Sequence, residues 1–600
     1  MTVTAVIDFA ADAALAAPPS RLCFRDPVRV IEAGEVDDVW TALRVVRQAA
    51  ADGFWVVGYV AYDAAPAFDS ALVVRHGSSD LPLLWFGVFT APDAPSPECP
   101  APDIPDSWGG TWVSDLTEAE YTARVATISE AIRAGETYQV NFTRRLTLPA
   151  DASARNRRQD AFPAYERLRK AQDGAYSAYL DTGRFQILSA SPELFFQTRG
   201  REIMVRPMKG TAPRGRWCDE DDANRERLAA SKKERAENVM IVDLLRSDLG
   251  RVAQTGTVRV TELFAVEMFP TVLQLTSTIG ATLRPDAALE DVFRALFPCG
   301  SVTGAPKAKT TEHIAAGETG PRGVYCGAIG LVRPGGDSVF SVAIRTVVLD
   351  GATGAAEYGV GGGITEGSVA CEEWEETQIK AGILQALASA PQPDFDLLET
   401  LRLDGGIYHL LDRHLTRACS SSAYFGRPFD EARIRAELAI HAAQRPTGAW
   451  RARLLLSANG TPRVEVFALG ERPSSPLAVR MAATPVRQSD PFICHKTTNR
   501  VVYDFHRAAA GLSVYDVLLW NENGEITEFT TGNVALEYPN GDRVTPPRTA
   551  GLLDGTLRAD LIERGELRVA TLRREDILNP DNKVFFLNSV RGMLRATVVA

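Results

Sequence analysis

The stretch ASAPQPDFD, Ala388 to Asp396, constrains this chain more than any other feature. Its prolines cannot donate to a helix or a ladder, so no regular element continues through it. Sequence texture also changes across it. Downstream, FDLLETLRLDGGIYHLLDRHLTRACSSSAYFG reads as a strand, a Gly-Gly hairpin turn, a second strand and then a helix. At 600 residues the chain is too long for one ordinary core. The break therefore marks a boundary, giving a first domain over 1–387, a linker over 388–394 and a second domain over 395–600. A further proline-rich segment, APDAPSPECPAPDIPDSWGG from Ala91, divides the first domain into an N-terminal part, 1–95, and a main part, 111–387.

Within the first part, FWVVGYVAYDAAPAFD and LPLLWFGVFTAP mix aromatic and β-branched residues as strands do. In LTEAEYTARVATISEAIRAGETYQVNFTRRLTL a helical apolar period from Tyr121 to Ile132 gives way to a strand-like run. Residues 1 to about 95 are therefore read as sheet structure that supports the unit following them. A net charge of −11, with basic and acidic residues interspersed, argues against nucleic acid or an anionic membrane as partner. The N-terminus lacks a basic segment ahead of an apolar core, and no apolar run approaches the ~20 residues that span a bilayer, so a cytoplasmic protein is expected. Eight cysteines without a CxxC pair indicate reduced thiols rather than zinc or disulfides.

Chemistry concentrates in a few segments. SKKERAENVMIVDLLRSDLG places Glu234 and Glu237 three residues apart on a helical pattern, and ACEEWEETQIKAGILQAL repeats the spacing with Glu373 and Glu376. Four such carboxylates on two facing helices suit Mg²⁺, which prefers hard oxygen ligands. CGSVTGAPKAK, RGVYCGAIG and YGVGGGITEGS are glycine-dense, though the first lacks the spacing of a nucleotide phosphate loop. Arg345 interrupts the β-branched run FSVAIRTVVL, where a guanidinium calls for an acidic partner.

Taken in order, SASPELFF, RPMKGTAPRG, RAENVMIVDLLRSDLGRV, CGSVTGAPK, RGVYCGAIG, VAIRT, GGGITEGS and EEWEETQIKA closely resemble the chorismate-utilising enzymes, and among them the aminodeoxychorismate synthase component I branch. The resemblance implies an α+β fold of large antiparallel sheets. It also implies Glu237 and Glu376 as direct Mg²⁺ ligands, with Glu234 and Glu373 beside them through water. Arg345, Tyr325, Lys380 and the backbone of Gly361, Gly362 and Gly363 would hold substrate carboxylates. Glu193 would be the general acid at the C4 hydroxyl, its pKa raised by burial. Lys209 takes the position of the lysine that attacks C2 of chorismate, with Arg206 and Arg214 flanking the amine and lowering its pKa. Gln139 stands where water-adding relatives carry a lysine base, which disfavours that branch. Gln274 stands where many relatives have a histidine.

Residues 394–600, with ITEFTTGN, VTPPRTAGLLDGTLR and FFLNSVRG, resemble the fold-type IV pyridoxal phosphate (PLP) enzymes. That resemblance makes Lys496 the cofactor-bonding lysine and Glu528 the partner of the pyridine nitrogen. Arg417, Thr530, Thr531, Gly555 and Thr556 would hold the phosphate. Joined to the first domain, this one is expected to act as an aminodeoxychorismate lyase, so that the two together make 4-aminobenzoate for folate synthesis. No G-x-C-x-G elbow is present, so ammonia would come from a separate glutamine amidotransferase. A homodimer through 394–600 is also expected. The alternatives are an anthranilate synthase, an aminotransferase in the second domain, or a subunit that binds without turnover.

Overall fold

The computed structural model describes all residues except 1–3, 10–19, 76, 78–79, 94–105, 151–153, 173–174, 270–271, 389–393, 512 and 600. Most of the proline-rich segment from Ala91, and most of the break after Ala388, lie outside the described residues. The chain forms two units. One comprises 1–213 and 225–391, the other 214–224 and 392–600.

Two large antiparallel sheets build the first unit. The nine-stranded sheet runs Gly304–Ala305, Gln139–Leu148, Ala356–Ile364, Thr346–Asp350, Phe185–Ser191, Tyr176–Asp181, Ala5–Phe9, Ser20–Phe24, with Val113–Ser114 beside Gln139–Leu148. The ten-stranded sheet contains Met208–Pro213, Val272–Thr282, Glu202–Arg206, Leu194–Arg199, Ser338–Val342, Ala328–Val332, Trp55–Val60, Leu84–Phe89 and Arg29–Ala33, with Arg259–Met268 beside Val272–Thr282. Ile7, Phe24, Leu180 and Ile187 of one sheet and Val57, Tyr59, Trp85 and Leu331 of the other share one buried cluster, so the sheets pack face to face. Helices cover the outer faces. Ala161–Gln172 seals the nine-stranded sheet through Tyr165 and Leu168, and Val36–Ala51 seals the other through Leu43 and Val46.

The chain passes between these sheets at two places that matter for chemistry. It leaves the nine-stranded sheet at Ser191 and enters the ten-stranded one at Leu194, and it returns from Val342 to Thr346. The crossings are tied together, Val342 N–H donating to the Glu193 carbonyl at 3.0 Å and Ala190 N–H to that of Arg345 at 3.0 Å. Glu193 occupies the first crossing and Arg345 the second. Arg345 adopts φ 53°, a left-handed conformation that costs a non-glycine residue roughly 1–3 kcal/mol and persists where its surroundings enforce it.

In the second unit, Leu397–Asp404, Ile407–Tyr408, Ala449–Leu456 and Pro462–Ala468 form a four-stranded antiparallel sheet under the helices Leu411–Tyr424 and Glu431–Ala443. The predicted strand, Gly405-Gly406 turn, strand and helix are therefore present. A mixed eight-stranded sheet follows, in which Leu477–Met481 pairs in parallel with both Asp516–Trp520 and Gly592–Val598. Among the described residues, no helix is long and apolar enough to cross a membrane.

Candidate active site

In the first unit, a cavity of about 190 Å³ brings together Glu193, Lys209, Glu234, Glu237, Gln274, Tyr325, Arg345, Gly361, Gly363, Glu373, Glu376 and Lys380. Residues scattered over nearly 190 positions meet because the two sheet crossings, the strand Met208–Pro213 and the helices Lys232–Gly250 and Ala370–Ala381 all end or pass there. The strand Ala356–Ile364 keeps Gln139–Leu148 as partner along its length, whereas its pairing with Thr346–Asp350 stops at Tyr358. Among the described residues, Gly361–Gly363 therefore have an edge without a strand neighbour.

These glycines are needed for space. A methyl group on Gly363 would lie 2.8 Å from Gln139 Nε2 and 3.0 Å from Lys209 Nζ, so the amine and the amide both occupy the space a side chain there would need. One on Gly362 would lie 3.0 Å from a Glu373 oxygen and 3.8 Å from one of Glu376. Gln139 is fully buried, and neither of its amide atoms finds a hydrogen-bond partner among the described residues.

Burial lowers the Lys209 pKa from its usual value, and the Lys380 ammonium adds to the effect; Glu237, Glu193 and Glu376 oppose it. The flanking arginines expected from the sequence are not the cause. The Arg206 guanidinium faces Glu267 at 3.7 Å, and Arg214 pairs with Asp221 at 2.6 Å within the second unit. Glu193 is pushed up to about 7 by burial, although Ser301 Oγ–H donates to its Oε1 at 2.6 Å and favours the anion. Ser301, in the glycine-rich CGSVTGAPK segment, was not singled out from the sequence; a lone hydroxyl carries no spacing signal.

Arg345 has no carboxylate partner among the described residues. Its Nη1 donates to the Lys380 carbonyl at 2.9 Å, and its head lines the cavity, free for an acidic ligand. Lys380 Nζ donates to Glu376 at 2.5 Å and to the Gly361 carbonyl at 2.8 Å. The Tyr325 ring packs against Gly359, where a methyl would stand 2.3 Å from it.

Burial raises the pKa values of Glu234, Glu237 and Glu373. It acts the same way on Glu376, where Lys380 outweighs it and the net shift is downward. The four carboxylates share the cavity, yet among the described residues no group of three or more His, Cys, Asp or Glu side chains is set to hold a metal ion. The donor set still fits a hard divalent cation held partly through water, since it offers carboxylate oxygens alone and the small Gly362 lets two of them approach.

In the second unit, Lys496 lies in the loop after the short helix Pro491–Cys494 and lines a small cavity with Glu399, Ala418 and Ser421. Burial brings its pKa down to about 8, with Arg417 and Arg500 contributing. Glu528 is pushed up to about 8 by burial while accepting from Tyr503 O–H at 2.8 Å and Asn533 Nδ2 at 3.2 Å. Arg417 makes a two-point pair with Glu399 at 2.8 and 2.6 Å and donates to the Asp554 carbonyl at 2.9 Å, leaving two of its five N–H groups. Gly555 caps the helix Thr556–Glu563, whose first N–H groups have no intrahelical partner.

Thr530 and Thr531 require a correction. Both donate their hydroxyl and backbone N–H groups to the fully buried carboxylate of Asp516. Their donors are spent on an internal anion and are not free for a phosphate, so of the expected set Arg417, Gly555 and Thr556 remain.

The sequence profile of the chorismate binding enzyme family matches residues 14–386, and that of amino-transferase class IV matches residues 396–599. An aminodeoxychorismate synthase of Streptomyces griseus is 41% identical over 295 residues, 49% of this chain but only 40% of that protein. Aminodeoxychorismate synthase component 1 of Klebsiella aerogenes is 37% identical over 333 residues, 54% of this chain and 70% of that protein. Among solved structures, anthranilate synthase component I from Streptococcus pneumoniae superimposes with a TM-score of 0.52 at 26% identity, covering 60% of this chain and 90% of that one. The chain belongs to the chorismate binding enzyme family and carries an amino-transferase class IV domain after it.

Proposed function

We propose that the first unit aminates chorismate at C4 and that the second splits the product into pyruvate and 4-aminobenzoate, a folate precursor. The observation that carries this reading is the Lys209 amine, its basicity lowered, seated against Gly363 in the same cavity as Glu193 and Arg345. Arg345, lacking an internal carboxylate, binds one of the substrate's two. Glu237 and Glu376, with Glu234 and Glu373 through water, would hold Mg²⁺, which supplies positive charge to fix the ring carboxylate. Lys209 Nζ forms a bond to C2 as the ring double bonds shift and the C4–O bond breaks. Glu193 gives its proton to the departing hydroxyl, which leaves as water. Ammonia from a separate glutamine amidotransferase then bonds to C4, and the Lys209 nitrogen departs from C2 with the reverse shift.

In the second unit, Lys496 and Glu528 would hold PLP, which supplies an electron sink when bound. Arg417 and the N–H groups at Gly555–Thr556 would hold its phosphate. Lys496 Nζ takes the C4 proton of the aminated intermediate, the C3–O bond breaks as the ring becomes aromatic, and the departing enolpyruvate takes a proton back from Lys496 to become pyruvate.

Purified full chain incubated with chorismate, Mg²⁺ and ammonium, with and without PLP, tests both halves. Expected products are 4-aminobenzoate and pyruvate with PLP, and accumulating aminodeoxychorismate for Lys496→Ala. Formation of the 2-amino isomer would overturn the first half. Normal pyruvate release by Lys496→Ala would overturn the second.

A further inference from the structure

Residues 214–224 lie between the strand that carries Lys209 and the helix that carries Glu234, yet they belong to the second unit. Their contacts gather on one spot. The Arg216 carbonyl accepts from His495 Nε2 at 3.0 Å, and the other ring nitrogen of His495 bonds Ser421 Oγ at 2.9 Å. His495 is held neutral by burial, its pKa brought down to about 4, so it serves as a fixed two-ended spacer directly before Lys496. Its ring stacks on Tyr424 at 4.3 Å, and Tyr424 O–H donates to the Gly215 carbonyl at 2.9 Å. Arg216 Nη1 donates to the Thr549 carbonyl at 2.8 Å.

Trp217 completes the attachment. It is 8% exposed and sits in one apolar cluster with Ile493, Cys494 and Tyr503. Tyr503 is the residue whose hydroxyl bonds Glu528. The segment therefore reaches both ends of the candidate cofactor site, Lys496 through His495 and Glu528 through Tyr503.

We propose that residues 214–224, from within the chorismate-family portion of the sequence, complete the PLP site of the class IV domain, with Trp217 as a positioning residue that holds Tyr503, and through it Glu528, in register with Lys496. The class IV domain is then not a separable module, because part of the support for its cofactor is encoded about 180 residues upstream of it. The inference rests on Lys496 and Glu528 being the cofactor's partners.

The test uses the full chain. Trp217→Ala is expected to weaken PLP binding about tenfold or more, and to shift the pH at which the visible absorption of the Lys496-bound cofactor changes, while Trp217→Phe stays close to the parent. In the unaltered chain, amides of 214–224 are expected to exchange hydrogen more slowly once PLP is added, a readout that holds even if Trp217→Ala fails to fold. A folded Trp217→Ala with parental affinity and titration, equal losses in both variants, or exchange at 214–224 indifferent to PLP would overturn the inference. Failure of the unaltered chain to bind PLP would instead sink the cofactor assignment beneath it.

Discussion

Lys209 Nζ faces Gly363, so close that a single methyl on that glycine would stand 3.0 Å from the nitrogen. The amine is thus positioned by the absence of a side chain as much as by any contact. Gly363→Ala is expected to push Lys209 and Gln139 aside and to cost about 100-fold in amination, the scale of an ångström's misplacement at a reacting atom. Steady-state rates with ammonium, beside a melting curve showing a folded protein, check this. An unchanged rate would mean that the amine's placement is unimportant.

The pH profile follows from Glu193. As a general acid it acts while protonated, so amination is expected to fall as pH rises through about 7. Ser301 donates to its carboxylate and favours the charged form, so Ser301→Ala raises the Glu193 pKa further and moves the alkaline limb of kcat/KM to higher pH. A limb that stays put or moves down would remove Glu193 from that role.

Asp516 sets Thr530 and Thr531 apart from the Gly555–Thr556 backbone in the second unit. Thr531→Ala removes one donor from a buried carboxylate and is expected to cost about 1–3 kcal/mol of stability with little change in PLP affinity. Gly555→Ala would drive a methyl to within 1.7 Å of Asn533 Oδ1 and is expected to weaken PLP binding instead. Melting curves and cofactor titrations distinguish the two patterns, and loss of PLP in Thr531→Ala without loss of stability would restore Thr531 as a phosphate ligand.

Short-range patterns made much of this legible. Thr117 and Glu120 form a reciprocal cap that starts the helix Glu118–Arg133, close to the Tyr121–Ile132 period. The two ExxE pairs do lie on helices that line one cavity, because a spacing of three fixes a shared helical face. Long-range partners were not legible. The helix Cys218–Ala230 begins as an acidic, amphipathically weak sequence that says nothing about which core will hold Trp217. Arg214 looked like a neighbour of Lys209 because it is five residues away, but Asp221 draws it elsewhere. Asp516 lies 14 and 15 residues from the threonines it occupies, beyond any local motif.

The central claim is a carbon–nitrogen bond between Lys209 and the substrate ring. Mass spectrometry of the intact chain, quenched during turnover with chorismate and Mg²⁺ and no ammonia, tests it most directly. A substrate-derived mass that maps to Lys209, absent from a Lys209→Ala variant that no longer aminates, is the predicted result. An unmodified Lys209 together with a Lys209→Ala variant that aminates at the parental rate would contradict it.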